Sequence, residues 1–201
     1  MAYASWVNPN KTSGNGNDTV AWTGSAHTGR TARQTTATFS ASGVESKTLT
    51  IIQAGAAEFV TIDSTAAVAK AGGSVTITGT SNSSKLTFSL TGSNNIGLVL
   101  PATYTANSVS TSNGAAITGD PGAVQQYTFS ITFTDIAENT TISALTSQLT
   151  VTPNSGTAAT CDITQAAGDA YLTISPTTIN LTAAGTAVSV TVTSNTSWSI
   201  A

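Results

Sequence analysis

"TLTIIQAGAAEFVTID" at residues 48–63 returns at residues 160–175 as "TCDITQAAGDAYLTIS", aligned without a gap. Gln53 meets Gln165 and Ile62 meets Ile174 at the same separation. Upstream, "ATFSASG" (37–43) matches "LTVTPNSG" (149–156) with one insertion. Downstream, "AGGSVTITGTSNSS" (71–84) matches "AAGTAVSVTVTSNTS" (183–197). Self-similarity at a fixed period signals a repeated structural unit. A period of roughly 110 residues is close to the ~100 of an immunoglobulin-like sandwich.

The units read as β-structure. "SVTITG" (74–79), "YTFSITFTDI" (127–136) and "AVSVTVTS" (187–194) alternate apolar and polar residues, which puts one face on a core. "SGNGND" (13–18), "SNG" (112–114), "GDPG" (119–122) and "PNSG" (153–156) are turn signals between them. The Thr-rich composition favours half-exposed strands over helices. The fold expected is all-β: tandem immunoglobulin-like β-sandwiches, one of them split between the N- and C-terminal segments.

In this division only residues 56–168 form a complete sandwich, with a long insertion at 93–126. Residues 1–55 correspond to the later two-thirds of a unit and residues 169–201 to its first strands. Joined tail to head, "VTVTSNTSWSIA" and "AYASWVNPNKTSGNGNDTVAW" make a plausible small sandwich. Leu172, Ile174, Ile179, Leu181, Val188, Val190, Val192 and Trp198 fall on the inward face of the tail, with Ile200 beyond. Trp6 lies on the receiving side. The joint expected between subunits is therefore Trp198, Ile200, Trp6, Val188, Val190 and Val192. Half a sandwich leaves strand edges and half a core open. Donation of the tail to a neighbouring subunit is the first option, and the short links near residues 56–57 and 168–170 favour it. Closure within one chain and a truncated C-terminus are the alternatives. Donation is head-to-tail, and a trimer is the simplest ring.

The joined sequence resembles the BACON family of immunoglobulin-like modules. The residues that carry the likeness are Asn195 with Trp198, then Trp6, then Ser13, Gly14 and Gly16, then Arg30 or Arg33 at a strand head, and finally Ile51, Gln53 and Gly55. The middle unit departs from that pattern: Lys85 or Leu86 stands at the Trp position and no Arg precedes 143–152. The resemblance implies a virion protein, as in crAss-like bacteriophages: a capsid auxiliary or decoration protein whose partners are itself and the major capsid protein. An adhesion module that binds glycans on a host surface or mucin is the alternative.

Composition narrows the chemistry. The chain has 201 residues, a net charge of −3 and only 7% charged residues. Six Lys and Arg scattered along it make no basic patch for nucleic acid. No apolar run approaches the ~18 residues of a membrane helix, and "MAYASWVNPNK" lacks the features of a signal peptide. The expectation is synthesis in a bacterial host cytoplasm and use on the capsid surface without export. Cys161 stands alone in an alternating stretch and reads as a small buried hydrophobe. His27, in "GSAHTGR", reads as a solvated loop residue. Asp18, Asp63, Asp120, Asp135 and Asp162 make no calcium loop, and no Cys/His spacing suits zinc. No enzyme, cofactor or metal is expected. Trp22 and Tyr104 remain candidates for exposed contact with a partner or a sugar.

Overall fold

The computed structural model describes residues 3–201, and every regular element among them is a β-strand. Fifteen strands follow in order. In the N-terminal segment lie β1 (Val7–Pro9), β2 (Trp22–Gly24), β3 (Arg33–Phe39) and β4 (Lys47–Gln53). The middle region holds β5 (Val60–Ile62), β6 (Thr65–Val68), β7 (Gly73–Ser81), β8 (Leu86–Thr91), β9 (Thr103–Ala106), β10 (Val109–Ser112), β11 (Tyr127–Ile136), β12 (Leu145–Pro153) and β13 (Ala159–Gln165). Last come β14 (Leu172–Ser175) and β15 (Thr191–Ser194).

The middle strands make a β-sandwich. One sheet runs β10-β9-β11-β7-β5 and the other β6-β13-β12-β8. Alternation produces the core: along β11, Tyr127, Phe129, Ile131 and Phe133 point inward while Thr128 and Thr132 stay outside. They meet Ile77 of β7, Leu86 and Phe88 of β8, Leu149 and Val151 of β12, and Cys161 and Ile163 of β13. Each large aliphatic or aromatic side chain buried this fully contributes about 1.5–3 kcal/mol before ordering costs.

Alternation fails at one place in β11. The register shifts between Phe133 and Ile136, and Asp135 has φ +57°. A bulge inserts an extra residue and so restores the phase. Ile136 thereby returns to the core.

The segment 93–126 is longer than the matching part of a plain unit, yet it belongs to the sandwich. Its hairpin β9-β10 turns through Asn107 and Ser108, both with positive φ, as a two-residue turn matched to strand twist requires. β9 pairs with β11, and Ile96, Leu98, Ile117 and Ala123 are buried. Tyr104 lies in this hairpin at 3% exposure with its ring centroid 4.6 Å from that of Phe88. The reading of Tyr104 as a surface contact is therefore corrected: its place in β9 alternates inward with Ala106, between exposed Thr103 and Thr105.

The flanking segments form small, separate sheets: β1 with β2, β3 with β4, and β14 with β15. None of these three sheets includes a strand from another segment.

Candidate functional site: two junctions and two open faces

The N-terminal segment is fixed to the middle sandwich by Arg30. Its Nη1 and Nη2 donate to Asp120 Oδ2 and Oδ1 at 2.6 and 2.8 Å, and Nη2 also donates to the Asn82 carbonyl at 2.6 Å. Such two-pronged pairing fixes orientation as well as distance. Nε lies 2.8 Å from Glu58 Oε1 without hydrogen-bond alignment, so charge alone joins them.

Glu58 is buried but well supplied with donors. Ser83 Oγ and Ser155 N–H reach Oε2 at 3.0 and 2.7 Å, and Ser84 N–H reaches Oε1 at 3.2 Å. Burial by itself raises the carboxyl's pKa, but these donors more than offset it and hold Glu58 below its ordinary range. Asp120 is held down chiefly by its hydrogen bonds to Arg30. Nothing in the sequence pattern ties Arg30 to residues 58 and 120; the only sign is a lone Glu inside the apolar run "AAEFVTI".

Arg33, by contrast, heads β3. Its Nε donates to Gln53 Oε1 at 2.9 Å, its guanidinium lies 4.4 Å from the Trp6 ring centroid, and Gln53 Nε2 donates to the Ser25 carbonyl. Of the two arginines proposed for the strand-head position, Arg33 occupies it.

The turn that precedes β3 has a counterpart before β12. His27 Nδ1 accepts the Gly29 N–H at 3.4 Å and Nε2 lies 2.7 Å from the Thr31 carbonyl, which makes Nε2 the protonated nitrogen. At the matching place one repeat further on, Asn139 Oδ1 accepts the Thr141 N–H at 3.0 Å and Nδ2 donates to the Ser143 carbonyl at 2.8 Å. Ala56 N–H then donates to the Gly29 carbonyl, and Gly168 N–H to the Thr141 carbonyl. His27 is thus bonded within its loop while remaining partly exposed.

The correspondence extends into the C-terminal hairpin. Asn82 Oδ1 accepts the Phe59 N–H at 2.8 Å and its Nδ2 donates to the Ala57 carbonyl at 2.9 Å. Asn195 accepts the Tyr171 N–H at 3.0 Å and donates to the Asp169 carbonyl at 2.9 Å. Ser81 Oγ donates to the Phe59 carbonyl, and Ser194 Oγ to that of Tyr171. Gly72 and Gly185 each donate to the third residue before them at 2.9 Å, with φ of +74° and +72°. β14-β15 therefore repeats the geometry of β5-β7. An ion pair between Lys70 and Asp169 spans the second junction.

Equivalent positions differ sharply in exposure. Leu181 is 64% exposed where Val68 is 3%, and Val190 is 39% exposed where Ile77 is 0%. On the N-terminal side Phe39 is 45% exposed where Val151 is 0%. Val188, Trp198 and Ile200 are exposed as well, while Val192 and Trp6 are half-buried. Within one chain the residues expected at the joint are thus not brought together.

Trp22 is half-buried in a groove of about 470 Å³ in the N-terminal segment, with Tyr3 and Phe39 edge-on at 5.4 and 6.4 Å. Its floor includes Ala37 and Phe39 on the inward face of β3.

Among the described residues no cluster of three or more His, Cys, Asp or Glu is placed to hold a metal ion. Cys161 is fully buried, and burial pushes its thiol up to about 11. No helix of the described residues is long and apolar enough to cross a membrane. No protein-family profile matches this chain, and no curated protein matches its sequence.

Proposed function

We propose that this chain is a structural virion protein, an auxiliary or decoration component of a bacteriophage capsid, whose subunits join head to tail by sharing a sandwich. Its segments are tandem BACON-like, immunoglobulin-like modules: 56–168 is complete, and 1–55 of one subunit combines with 169–201 of the next. The joint is Val188, Val190, Val192, Trp198 and Ile200 against the side that carries Trp6. The observation that carries this reading is the pair of open apolar faces, exposed at the positions whose equivalents the closed sandwich buries. Open strand edges and apolar faces of this kind are used in strand complementation, where main-chain pairing supplies affinity and side-chain pockets supply specificity.

A heterologous contact must close into a ring or continue. A trimer is the smallest ring suited to a three-fold position on a shell, with the major capsid protein beneath it. The assignment to a virion rests on the BACON-like motif residues. Electron microscopy of purified particles labelled with antibody against the middle sandwich tests it. Regular decoration of the capsid supports the proposal, and particles that stay unlabelled after washing count against it.

The Trp22 groove favours a second reading, a glycan-binding adhesion module, because edge-on Tyr3 and Phe39 leave an aromatic surface. A glycan array with wild type and Trp22→Ala separates the two. Binding that Trp22→Ala removes supports adhesion; no binding at millimolar sugar dismisses it.

A further inference from the structure

The middle sandwich contains a contact that the flanking segments have all the parts for but do not make. β6 pairs in parallel with β13: Thr65 opposite Asp162, Ala66 opposite Ile163, Ala67 opposite Thr164 and Val68 opposite Gln165. β4 is the equivalent of β13, since both pair with their preceding strand in the same register, Arg33 with Gln53 and Leu145 with Gln165. β13 has partners on both edges, whereas among the described residues β4 pairs with β3 alone. Its other edge is open.

The equivalent of β6 is found by counting from fixed points. At the start of the hairpin Leu172 stands for Val60, because Val60 pairs with Ser81 as Leu172 pairs with Ser194. The tight turn at Gly185 answers that at Gly72, but it comes one position later than the count from Leu172 requires. One residue has therefore been added between the two points. If it falls before the β6 equivalent, Ile179 and Leu181 take the places of Ala66 and Val68. If it falls after, Thr178 and Asn180 do. Ala66 and Val68 both pack in the core, so the inward positions call for apolar side chains. A shift of one residue would turn the whole strand over. The first spacing holds.

We propose that residues 178–181 of one copy add to the open edge of β4 in a second copy, parallel to it. Thr178 lies opposite Thr50, Ile179 opposite Ile51, Asn180 opposite Ile52, and Leu181 opposite Gln53. This specifies the register of the assembly proposed above and rests on that reading. Ile51 with Ile179 and Gln53 with Leu181 face the shared core; Ile52 with Asn180 face outward, like Thr164 with Ala67. The Ala54 N–H gains the Leu181 carbonyl, as Ala166 N–H has that of Val68 at 3.0 Å.

The strand comes from a second copy because the two segments sit at opposite ends of the middle sandwich. The N-terminal junction uses Asn82, just past the end of β7, and the C-terminal junction uses Lys70, just before its start. Nine strand residues span about 30 Å at ~3.3 Å each. Neither segment can cross that distance without breaking its own junction.

Cysteine pairs in the full chain test the register, with Cys161 left in place because it is fully buried. Directly opposed residues bring Cα atoms within disulfide reach. Under mild oxidation, Ile52→Cys with Asn180→Cys is expected to give a ladder of intermolecular disulfide-linked species on a non-reducing gel. Ile52→Cys with Ile179→Cys, the register displaced by one, is expected to stay largely unlinked. Preferential linking of the second pair, or of neither in a protein that native mass spectrometry shows to be oligomeric, overturns the register but not the assembly. A disulfide confined to monomers overturns the second copy as donor. A wild-type protein that is wholly monomeric overturns the assembly itself.

Discussion

Asn195 stands to Tyr171 as Asn82 stands to Phe59: each side-chain oxygen accepts the partner's N–H, at 3.0 and 2.8 Å. Two asparagines one repeat apart thus tie down the starts of equivalent hairpins by the same pair of bonds. One hairpin is inside a closed core and the other stands open to solvent. The difference is one of cover: Val60 and Ile77 are buried, whereas Leu172 and Val190 are exposed.

The Arg30 junction gives the first prediction. Arg30→Ala removes the bidentate pair to Asp120 and leaves Glu58 buried without a cation. Loss of one partner from a partly buried network of this kind is expected to cost about 2–3 kcal/mol at the junction. Hydrogen exchange should show faster opening of residues 25–31 and 56–58, with β11 and β12 unchanged. Uniform protection in the variant would contradict the role given to Arg30.

Acid should open the same junction first. Glu58 and Asp120 both have folded carboxyls held below their ordinary range, so their contribution is complete above the unfolded values near pH 4. It is lost as pH falls through the lower folded values. The C-terminal junction relies on Asn195 and backbone amides, which do not titrate, and on the exposed Lys70–Asp169 pair. Limited proteolysis with pepsin between pH 5 and pH 2 should therefore cut near residue 56 before it cuts near residue 169. The reverse order would count against this.

Ile77 and Val190 occupy equivalent strand positions but should respond differently. Ile77→Ala empties a filled core and is expected to cost about 2–5 kcal/mol in urea unfolding. Val190→Ala should leave the middle sandwich's unfolding within about 0.5 kcal/mol of wild type. It should instead weaken subunit association, roughly tenfold for each 1.4 kcal/mol of lost burial. Sedimentation over a concentration series reads the second effect. Equal losses of monomer stability would show that Val190 is already packed within its own chain.

Cys161 gives a check on the middle core. Burial raises its thiol and shields it, so a thiol reagent at pH 8 should leave it unmodified until denaturant unfolds β13. Rapid labelling of the native protein would contradict the packing of Leu149 and Cys161.

Alternation with period two is enough to read the β-strands from sequence, because it depends on local pattern. β11 is the example: its buried residues Tyr127, Phe129, Ile131, Phe133 and Ile136 are all apolar, and the others are Thr, Ser and one Asp. Tyr104 is misplaced by such a reading for a physical reason. The 93–126 stretch exceeds the repeat, and only the pairing of β9 with β11 makes it part of a sheet rather than a surface loop. Arg30 is illegible because its partners, Glu58 in the link before β5 and Asp120 in the loop between β10 and β11, are brought together by the sandwich topology, not by sequence order. Trp198 and Ile200 read as inward from alternation, yet both are exposed in the single chain. Alternation marks an apolar face and does not say what it packs against.

Whether the two open faces cover each other between subunits can be read from native mass spectrometry of the full chain, diluted from micromolar to nanomolar and compared with Leu181→Asp. Wild type is expected as a dilution-resistant oligomer and Leu181→Asp as a folded monomer. A wild-type protein that remains monomeric at every concentration would contradict subunit exchange.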